Sequence, residues 1–440
     1  MKSFYLDRRF FVAAGLLVAL FLFAFSARFL LLYAQIGLIS LGALTILDAL
    51  ILFRMRDGMR AERIVAERLS NGDYNPVSIV VENRYPMSVR ATVIDEIPFQ
   101  FQKRDLEIDI SVGSGGSTRV EYSLRPVERG EYRFGAVNVF AASPLGLIRR
   151  RYRFAADQMV PVYPSYLQMR RYELLAISNR LSEVGIKRIR RVGHTMEFDQ
   201  IREYVQGDDY RTVNWKATAR ASKLMINQFQ DEKAQQVYSV IDKGRVMKMP
   251  FEGMSLLDYA INTSLVISNI ALVKGDKAGL ITFSDRLGTM LAADRRRAQM
   301  QKVLEVLYNQ KTNFHESSFE SLYGNIRQRL TTRSLLFLYT NFETLSSLTR
   351  QLPYLRAIAR DHLLVVVFFE NTEMKELLAS VPGNTEEVYL KTIAEKFAFE
   401  KKLIVKELQR YGITSILTTP SGLTVSTINK YLEIKARRLI

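Results

Sequence analysis

Two long apolar runs near the N-terminus constrain this chain more strongly than any other feature of its sequence. From Phe10 to Ala27 only one side chain is polar, and from Phe29 to Phe53 the chain is again apolar, interrupted by a few polar residues such as Asp48. A helix needs about 20 apolar residues to cross the hydrocarbon core of a bilayer. The two runs therefore predict a transmembrane helical hairpin within residues 1–56.

Basic residues flanking the hairpin predict its orientation. Lys2, Arg8 and Arg9 precede the first run, five more lie between positions 54 and 68, and the turn offers only Arg28. Segments rich in Lys and Arg stay on the cytoplasmic side. The soluble body is therefore expected in the cytoplasm, attached to the cell (inner) membrane. A cleaved signal peptide is the alternative for the first run, but no A-x-A-like site follows it and a second apolar run begins at once.

The basic charge of the chain suits an anionic partner. There are 62 Lys and Arg residues against 45 Asp and Glu, a net charge of +17. Such an excess fits an acidic membrane face or a nucleic acid. We expect the membrane face and no specific nucleic acid, because the Arg-rich clusters 149–153 and 187–191 lack the several interleaved aromatic side chains on which single strands stack. The chain has no Cys, which excludes disulfides and thiolate metal sites.

Residues 60–165 predict an all-β sandwich domain. Short runs, several with alternating apolar positions, occur at 77–81, 89–94, 106–112 and 117–124, and turn-forming residues separate them. Strands of this length and spacing are typical of β-sandwiches. A module of this kind more often supports or binds than catalyses.

The remainder of the chain divides into a charged segment, 166–235, and an α/β region, 236–440. In the latter, short apolar runs alternate with sequences typical of helices, which implies a mainly parallel sheet covered on both faces. In such sheets ligands bind at the carboxyl ends of the strands. The expected strands are 237–241, 278–283, 335–339, 363–369 and 415–417.

Asp242 stands just beyond the first of these strands, where a carboxylate could hold a cation. With Thr312 and Asn341 it resembles the metal site of a von Willebrand factor A domain. In such domains an Asp-x-Ser-x-Ser run, a Thr and an Asp supply oxygen ligands to Mg²⁺. Here Gly244 and Val246 replace the two serines and Asn341 replaces the last Asp, so at most weak Mg²⁺ binding is expected. The other interpretation is that Asp242 hydrogen-bonds the neighbouring loop.

A stretch of closely alternating charges, residues 193–220, contains the only Trp of the chain. Its arginines could form bidentate pairs with its carboxylates. We expect eight of its residues to form one connected cluster: Arg202, Glu203, Asp208, Asp209, Arg211, Trp215, Lys216 and Arg220. Two roles stay open. The cluster either fastens the charged segment to the α/β region, with Trp215 buried, or forms an exposed surface on which a partner docks.

The same stretch resembles the signature of the bacterial "domain of unknown function 58" family. Further matches to that family are the runs 124–126, 129–132, 143–146 and 162–164. The resemblance covers nearly the entire chain. It implies two N-terminal transmembrane helices, a β-rich region, the signature and a von Willebrand factor A-like (Rossmann-like) α/β domain. It also implies an association with MoxR-type AAA ATPases, and hence an interaction or adaptor role at the membrane.

The usual catalytic patterns are missing from the sequence. The three histidines, His194, His315 and His362, show no HExxH spacing, and neither a P-loop nor a GxSxG elbow occurs. We therefore expect no enzymatic activity, no cofactor and no small-molecule substrate. The alternatives are a divalent-metal-dependent, adhesion-type ligand-binding protein, and an enzyme that uses residues 193–220 with His194 as its base.

Overall fold

The chain folds into two compact units, Met1–Ser165 and Tyr166–Ile440. The first holds the apolar hairpin and the β-rich region, and the second holds the charged signature and the α/β region. The structure, a computed structural model, describes residues 3–102, 106–154, 157–177, 196–231, 234–312, 314–379, 382–437 and 439.

Two apolar helices begin the first unit, α1 (Arg8–Ser26) and α2 (Phe29–Phe53). Asp7 caps the start of α1, its carboxylate accepting a hydrogen bond from the backbone N–H of Arg8 at 2.7 Å. Both helices are long and apolar enough to cross a membrane, and most of their large apolar side chains face outward. A helix that is apolar all round suits a lipid environment, so the pair is compatible with the predicted membrane anchor.

The rest of the first unit is built from strands. They are β1 (Phe4–Leu6), β2 (Met59–Ile64), β3 (Leu69–Ser70), β4 (Asn75–Asn83), β5 (Val89–Asp95), β6 (Glu107–Val112), β7 (Ser117–Leu124), β8 (Gly130–Phe134), β9 (Val137–Ala142), β10 (Ile148–Phe154) and β11 (Gln158–Tyr163). Two antiparallel sheets, β1-β10-β9-β5-β6 and β2-β4-β7, enclose one apolar core that includes Ile79, Val93 and Val139. A third sheet, β3-β11-β8, covers a smaller core around Phe134. The arrangement is sandwich-like, as the alternating runs predicted.

Asp48 joins the apolar hairpin to these strands. It lies on α2 and is completely buried. Its carboxylate accepts hydrogen bonds from the backbone N–H groups of Leu147, at 2.9 Å, and Ile148, at 3.0 Å, and from the hydroxyl of Ser143. The one acidic side chain of this helix is therefore used to hold the turn before β10.

Hydrogen bonds from the strand residues also hold the carboxyl end of α2. Arg150 on β10 donates to the backbone carbonyls of Leu52 and Met55, each at 2.6 Å. The hydroxyl of Tyr85 also donates to the carbonyl of Leu52, at 2.6 Å. The last carbonyls of a helix lack partners within the helix and carry partial negative charge, so an arginine at this position both caps the helix and fixes its direction.

The second unit alternates strands and helices. Its helices are α3 (Tyr166–Ile177), α4 (Trp215–Ala221), α5 (Leu256–Val273), α6 (Ala298–Tyr308), α7 (Phe319–Arg329), α8 (Leu345–Asp361), α9 (Thr372–Ala379), α10 (Thr385–Arg410) and α11 (Leu423–Ala436). Its strands are β12 (Met196–Glu203), β13 (Met225–Asp231), β14 (Gln236–Asp242), β15 (Pro250–Phe251), β16 (Met254–Ser255), β17 (Lys277–Phe283), β18 (Leu287–Asp294), β19 (Leu335–Tyr339), β20 (Leu363–Phe369) and β21 (Thr414–Thr418).

A six-stranded sheet in the order β18-β17-β14-β19-β20-β21 organises the second unit. All neighbouring pairs are parallel except β17 and β18, which confirms the predicted mainly parallel sheet. The antiparallel edge strand β18 was not predicted. Helix α5 has the length and hydropathy of a membrane span but is buried within this unit. Because parallel strands end at one edge of a sheet, β14, β19, β20 and β21 bring the loops that follow them to a common edge.

Candidate functional site

Asp242 lies at the carboxyl end of β14 and is completely buried. Its carboxylate accepts hydrogen bonds from the backbone N–H of Gly244 at 2.8 Å, from the hydroxyl of Thr340 at 2.7 Å and from the hydroxyl of Ser317. Burial raises the pKa of Asp242, and these three hydrogen bonds oppose the rise. Asp242 therefore ties together the segments that follow β14 and β19 and the segment that precedes α7.

Gly244 explains how Ser317 reaches Asp242. A Cβ atom at position 244 would lie 2.0 Å from the Ser317 Oγ and 3.0 Å from the Asp242 Oδ1. The glycine thus leaves room for a serine hydroxyl from a distant segment of the chain, next to the place where the resembled motif carries a serine of its own. Ser317 was not predicted, because nothing in its local sequence connects it to a residue so far away in the chain.

The other two predicted metal ligands are not joined to Asp242. Asn341 is buried, and its Oδ1 accepts a hydrogen bond from the Nζ of Lys401 at 2.6 Å. Thr312 is half-buried, and no hydrogen bond within the described residues joins it to Asp242. A hard divalent cation prefers several anionic oxygens, whereas here there is one carboxylate and an ammonium already bound to Asn341. The donor set fits Mg²⁺ poorly, and weak Mg²⁺ binding stays a prediction.

The charged signature forms a β-hairpin. Its strands β12 and β13 pair antiparallel, and a 3-10 turn (Tyr210–Thr212) and the helix α4 lie between them. Asp209 caps the turn by accepting a hydrogen bond from the N–H of Arg211 at 3.0 Å, and Asn214 caps α4 through the N–H of Ala217, also at 3.0 Å. We call residues 204–224 the signature loop.

Charged side chains brace this loop from within. Arg202 binds Asp208 in a bidentate manner, with N–O distances of 2.7 and 2.9 Å, and Asp208 also accepts a hydrogen bond from the N–H of Val205 at 2.8 Å. The hydrogen bonds from Arg202 and from Val205 lower the pKa of Asp208. Glu203 pairs with Lys223 at 3.3 Å across the open end of the loop, where both side chains are exposed.

Large apolar side chains of the signature loop face outward. The exposed fractions are 72% for Trp215, 73% for Tyr210 and 61% for Val205. Three cations accompany them in the same loop, and no ion pair within the described part of the chain involves Arg211, Lys216 or Arg220. The Arg211 guanidinium lies 5.8 Å from the centroid of the Tyr210 ring.

The exposure of Trp215 rules out one of the two roles considered for the charged cluster. Burial of Trp215 against the α/β region is wrong, since the indole is exposed. The ion pairs and side-chain hydrogen bonds described for residues 196–231 join residues of that segment to one another. The reason is that a β-hairpin satisfies its own backbone groups and charges, so the segment is ordered without an aromatic anchor. Among the eight predicted residues an ion pair joins Arg202 to Asp208, whereas Glu203 pairs with Lys223, which was not predicted.

The base of the enzyme alternative lies outside the described residues, whereas most of the segment 193–220 is described. His194 and the basic cluster 187–191 lie in the part of the chain that is not described. Glu197 and Asp199 are placed on β12. The enzyme alternative therefore stays a prediction.

Residues 200–382 match the family model described as "Protein of unknown function DUF58". A curated relative, "Uncharacterized protein YeaD" of Bacillus subtilis (strain 168), is 25% identical over 207 residues, which cover 44% of this chain and 50% of the relative. The chain thus spans about half the length of this relative. The matches confirm the resemblance predicted from the signature.

Several solved structures are similar to parts of the chain at low scores. The conserved hypothetical protein BatB from Bacteroides thetaiotaomicron is 14% identical, covering 47% of this chain and 100% of its own, with a TM-score of 0.31. A PapD-like domain of human CEP192 is 15% identical, covering 24% of this chain and 83% of its own, with a TM-score of 0.20. At such scores these likenesses do not bear on the fold.

Proposed function

We propose that this chain, which matches the DUF58 family model over residues 200–382, is a membrane-anchored binding protein without catalytic activity. The two apolar helices attach it to the cell membrane, and the basic residues beside them place its soluble part in the cytoplasm. Its partner binds at the signature loop. The α/β region is a von Willebrand factor A-like scaffold that presents this loop.

The observation that carries this proposal is the exposure of Trp215 and Tyr210 beside three cations that form no ion pair with any residue the structure describes. Aromatic residues and arginine are enriched in the energetically important parts of protein interfaces. A short loop that shows two large aromatic rings to solvent loses favourable apolar burial, which contact with a partner would restore. The internal pairs Arg202–Asp208 and Glu203–Lys223 hold the loop in one shape, so little ordering is required when a partner binds.

The charge of the loop specifies the chemistry of the partner. The carboxylates Glu203, Asp208 and Asp209 are all used within the hairpin. Positive charge therefore remains at Arg211, Lys216 and Arg220 and is complementary to an acidic protein surface. The family resemblance points to a MoxR-type AAA ATPase as the partner, with the chain acting as its membrane adaptor or client.

A divalent-metal-dependent, adhesion-type function has less support. Asp242 is fully engaged by Gly244, Ser317 and Thr340. The amide oxygen of Asn341 is bound to an ammonium rather than left facing a cation site. Both observations favour the interpretation in which Asp242 organises its neighbouring loops.

Charge reversal in the signature loop tests the proposal. The full chain in lipid nanodiscs is mixed with the candidate ATPase, with and without nucleotide, and the captured ATPase is quantified. Replacing Lys216 and Arg220 together by Glu should reduce capture at least tenfold at low salt, because both charges then oppose an acidic partner. Lys406→Glu, an exposed lysine on α10, is the matched control. Equal capture by the parent and the double variant would contradict the proposal.

A further inference from the structure

A cavity of about 470 Å³ opens at the carboxyl ends of β19, β20 and β21. Small-molecule sites in proteins commonly occupy about 300–1,000 Å³ and lie at this edge of parallel sheets. The strands reach it through Asn341, Phe369 and Leu417, and helices α9 and α10 close its sides. Its walls are mainly apolar and include Phe251, Phe369, Met374, Leu378, Phe397 and Leu417.

Lys401 of α10 places a half-buried positive charge in the wall of this cavity, which the exposed Lys402 also lines. Its Nζ donates a hydrogen bond to the Asn341 Oδ1 at 2.6 Å and lies 5.7 Å from the centroid of the Phe368 ring. No salt bridge to Lys401 is found among the described residues. Burial lowers the pKa of Lys401 to about 8, while the charge of Glu343 acts in the opposite direction. An ammonium held against apolar walls by a neutral amide is incompletely compensated.

We propose that this cavity binds a small molecule that combines an apolar body with a single carboxylate. The carboxylate pairs with the Lys401 ammonium, and the apolar body fills the space between α9 and α10. A doubly charged group such as a phosphate fits less well, because Glu343 and Glu370 also line the cavity and already offset much of the positive charge of Lys401 and Lys402. This site is independent of the partner-binding role of the signature loop.

Binding at this site has a thermodynamic signature. A carboxylate next to the amine favours its protonated form. Near pH 8, where the folded protein holds Lys401 partly deprotonated, binding should therefore take up protons. The measured binding enthalpy then depends on the ionisation enthalpy of the buffer, and it should not do so at pH 6.

Three probes of equal shape test the proposal. The full chain in nanodiscs is titrated with 4-phenylbutyrate, 4-phenyl-1-butanol and 4-phenylbutylamine, and empty nanodiscs provide the correction for partition into lipid. We expect saturable binding of 4-phenylbutyrate, at least tenfold tighter than the alcohol, and none of the amine. Lys401→Met should lower the affinity for 4-phenylbutyrate to that measured for the alcohol. Lys406→Met, which removes an exposed lysine of the same helix outside the cavity wall, should leave the preference unchanged.

A second measurement covers the case in which Lys401→Met does not fold. Acetylation of individual lysines in the parent protein is followed by mass spectrometry at pH 8. Saturating 4-phenylbutyrate should slow acetylation of Lys401 several-fold and leave Lys406, which lies outside the cavity wall, unaffected. Absence of saturable binding by all three probes, or equal binding of the amine and the carboxylate, would overturn the proposal, as would unchanged acetylation of Lys401.

Discussion

Two bidentate arginine–aspartate pairs, one in each unit, show how differently this protein uses the same chemistry. The side chains of Arg63 and Asp95 in the β-rich unit are both completely buried, and Asp95 accepts a further hydrogen bond from the hydroxyl of Tyr122. Arg202 and Asp208 of the signature hairpin keep 35% and 21% of their side-chain surface exposed. Removing one partner of the first pair leaves a buried charge without a counter-charge, whereas water can replace either partner of the second pair.

The difference separates a region whose polar groups are used internally from a loop whose large side chains face water. Around Arg63 the donors and acceptors are used internally: the guanidinium also donates to the carbonyl of Gly135 at 2.8 Å, and burial raises the pKa of Tyr122, which keeps its hydroxyl a donor. Around Arg202 the internal pair only shapes a loop, and the rings of Tyr210 and Trp215 remain facing water.

The largest effect is expected from breaking the buried pair. Arg63→Ala leaves Asp95 as an unpaired buried charge and should lower the free energy of unfolding of the first unit by about 3–5 kcal/mol. Denaturant unfolding of the full chain in nanodiscs, followed by circular dichroism, measures this loss. The matched comparison is Arg202→Ala, which should leave the unfolding midpoint close to that of the parent. A similar loss in both variants would break the contrast between the two pairs.

Asp48 extends the comparison to the apolar hairpin and gives the next largest effect. Asp48→Leu removes the acceptor used by the N–H groups of Leu147 and Ile148. Each buried donor left without a partner costs about 1–3 kcal/mol. Amide hydrogen exchange at these two residues should therefore accelerate by tenfold or more. Thr45→Ala on the same helix removes only a hydroxyl bound to its own helix and serves as the control; equally slow exchange in the Asp48 variant would contradict the assigned contact.

The third effect is a pH dependence of stability caused by Lys401, which is less buried than Arg63 and less exposed than the signature loop. Its pKa is about 8 in the folded protein against an ordinary value of 10.5. Between these two values the unfolded chain binds more protons, so stability should rise with pH across that window. Below pH 8 the cost of burying the ammonium is fully present. Lys401→Met should remove this part of the pH dependence, and Lys402→Met should keep it. A parent and Lys401 variant with parallel curves would contradict the assigned pKa.

Much of the fold followed from the sequence because the decisive patterns are local. The apolar runs predicted α1, α2 and the strands of the parallel sheet, since a buried strand needs an unbroken apolar run and a membrane helix a long one. The edge strand β18 was missed because its exposed positions interrupt that pattern. The hairpin of β12 and β13 was missed for a similar reason: its charges dominate the sequence and conceal the strands.

The site was less predictable because its contacts are distant in the sequence. Asp242 and Asn341 could be singled out as polar residues beyond apolar strands. Ser317 reaches Asp242 only because Gly244 lacks a side chain, and Lys401 reaches Asn341 from the middle of a long helix. Neither contact leaves a local signal. The exposure of Trp215 could not be predicted from the sequence either, since a single aromatic residue among charges is compatible with burial and with exposure.

We propose that the signature loop binds a partner and does not support the fold, and Trp215→Ala separates these two roles. The variant is measured in the full chain by thermal melting and by capture of the candidate ATPase. Truncating a buried tryptophan costs about 3–5 kcal/mol, but this one is 72% exposed. We predict an unchanged melting temperature together with a loss of capture of at least tenfold. A large drop in melting temperature with capture intact would contradict the account.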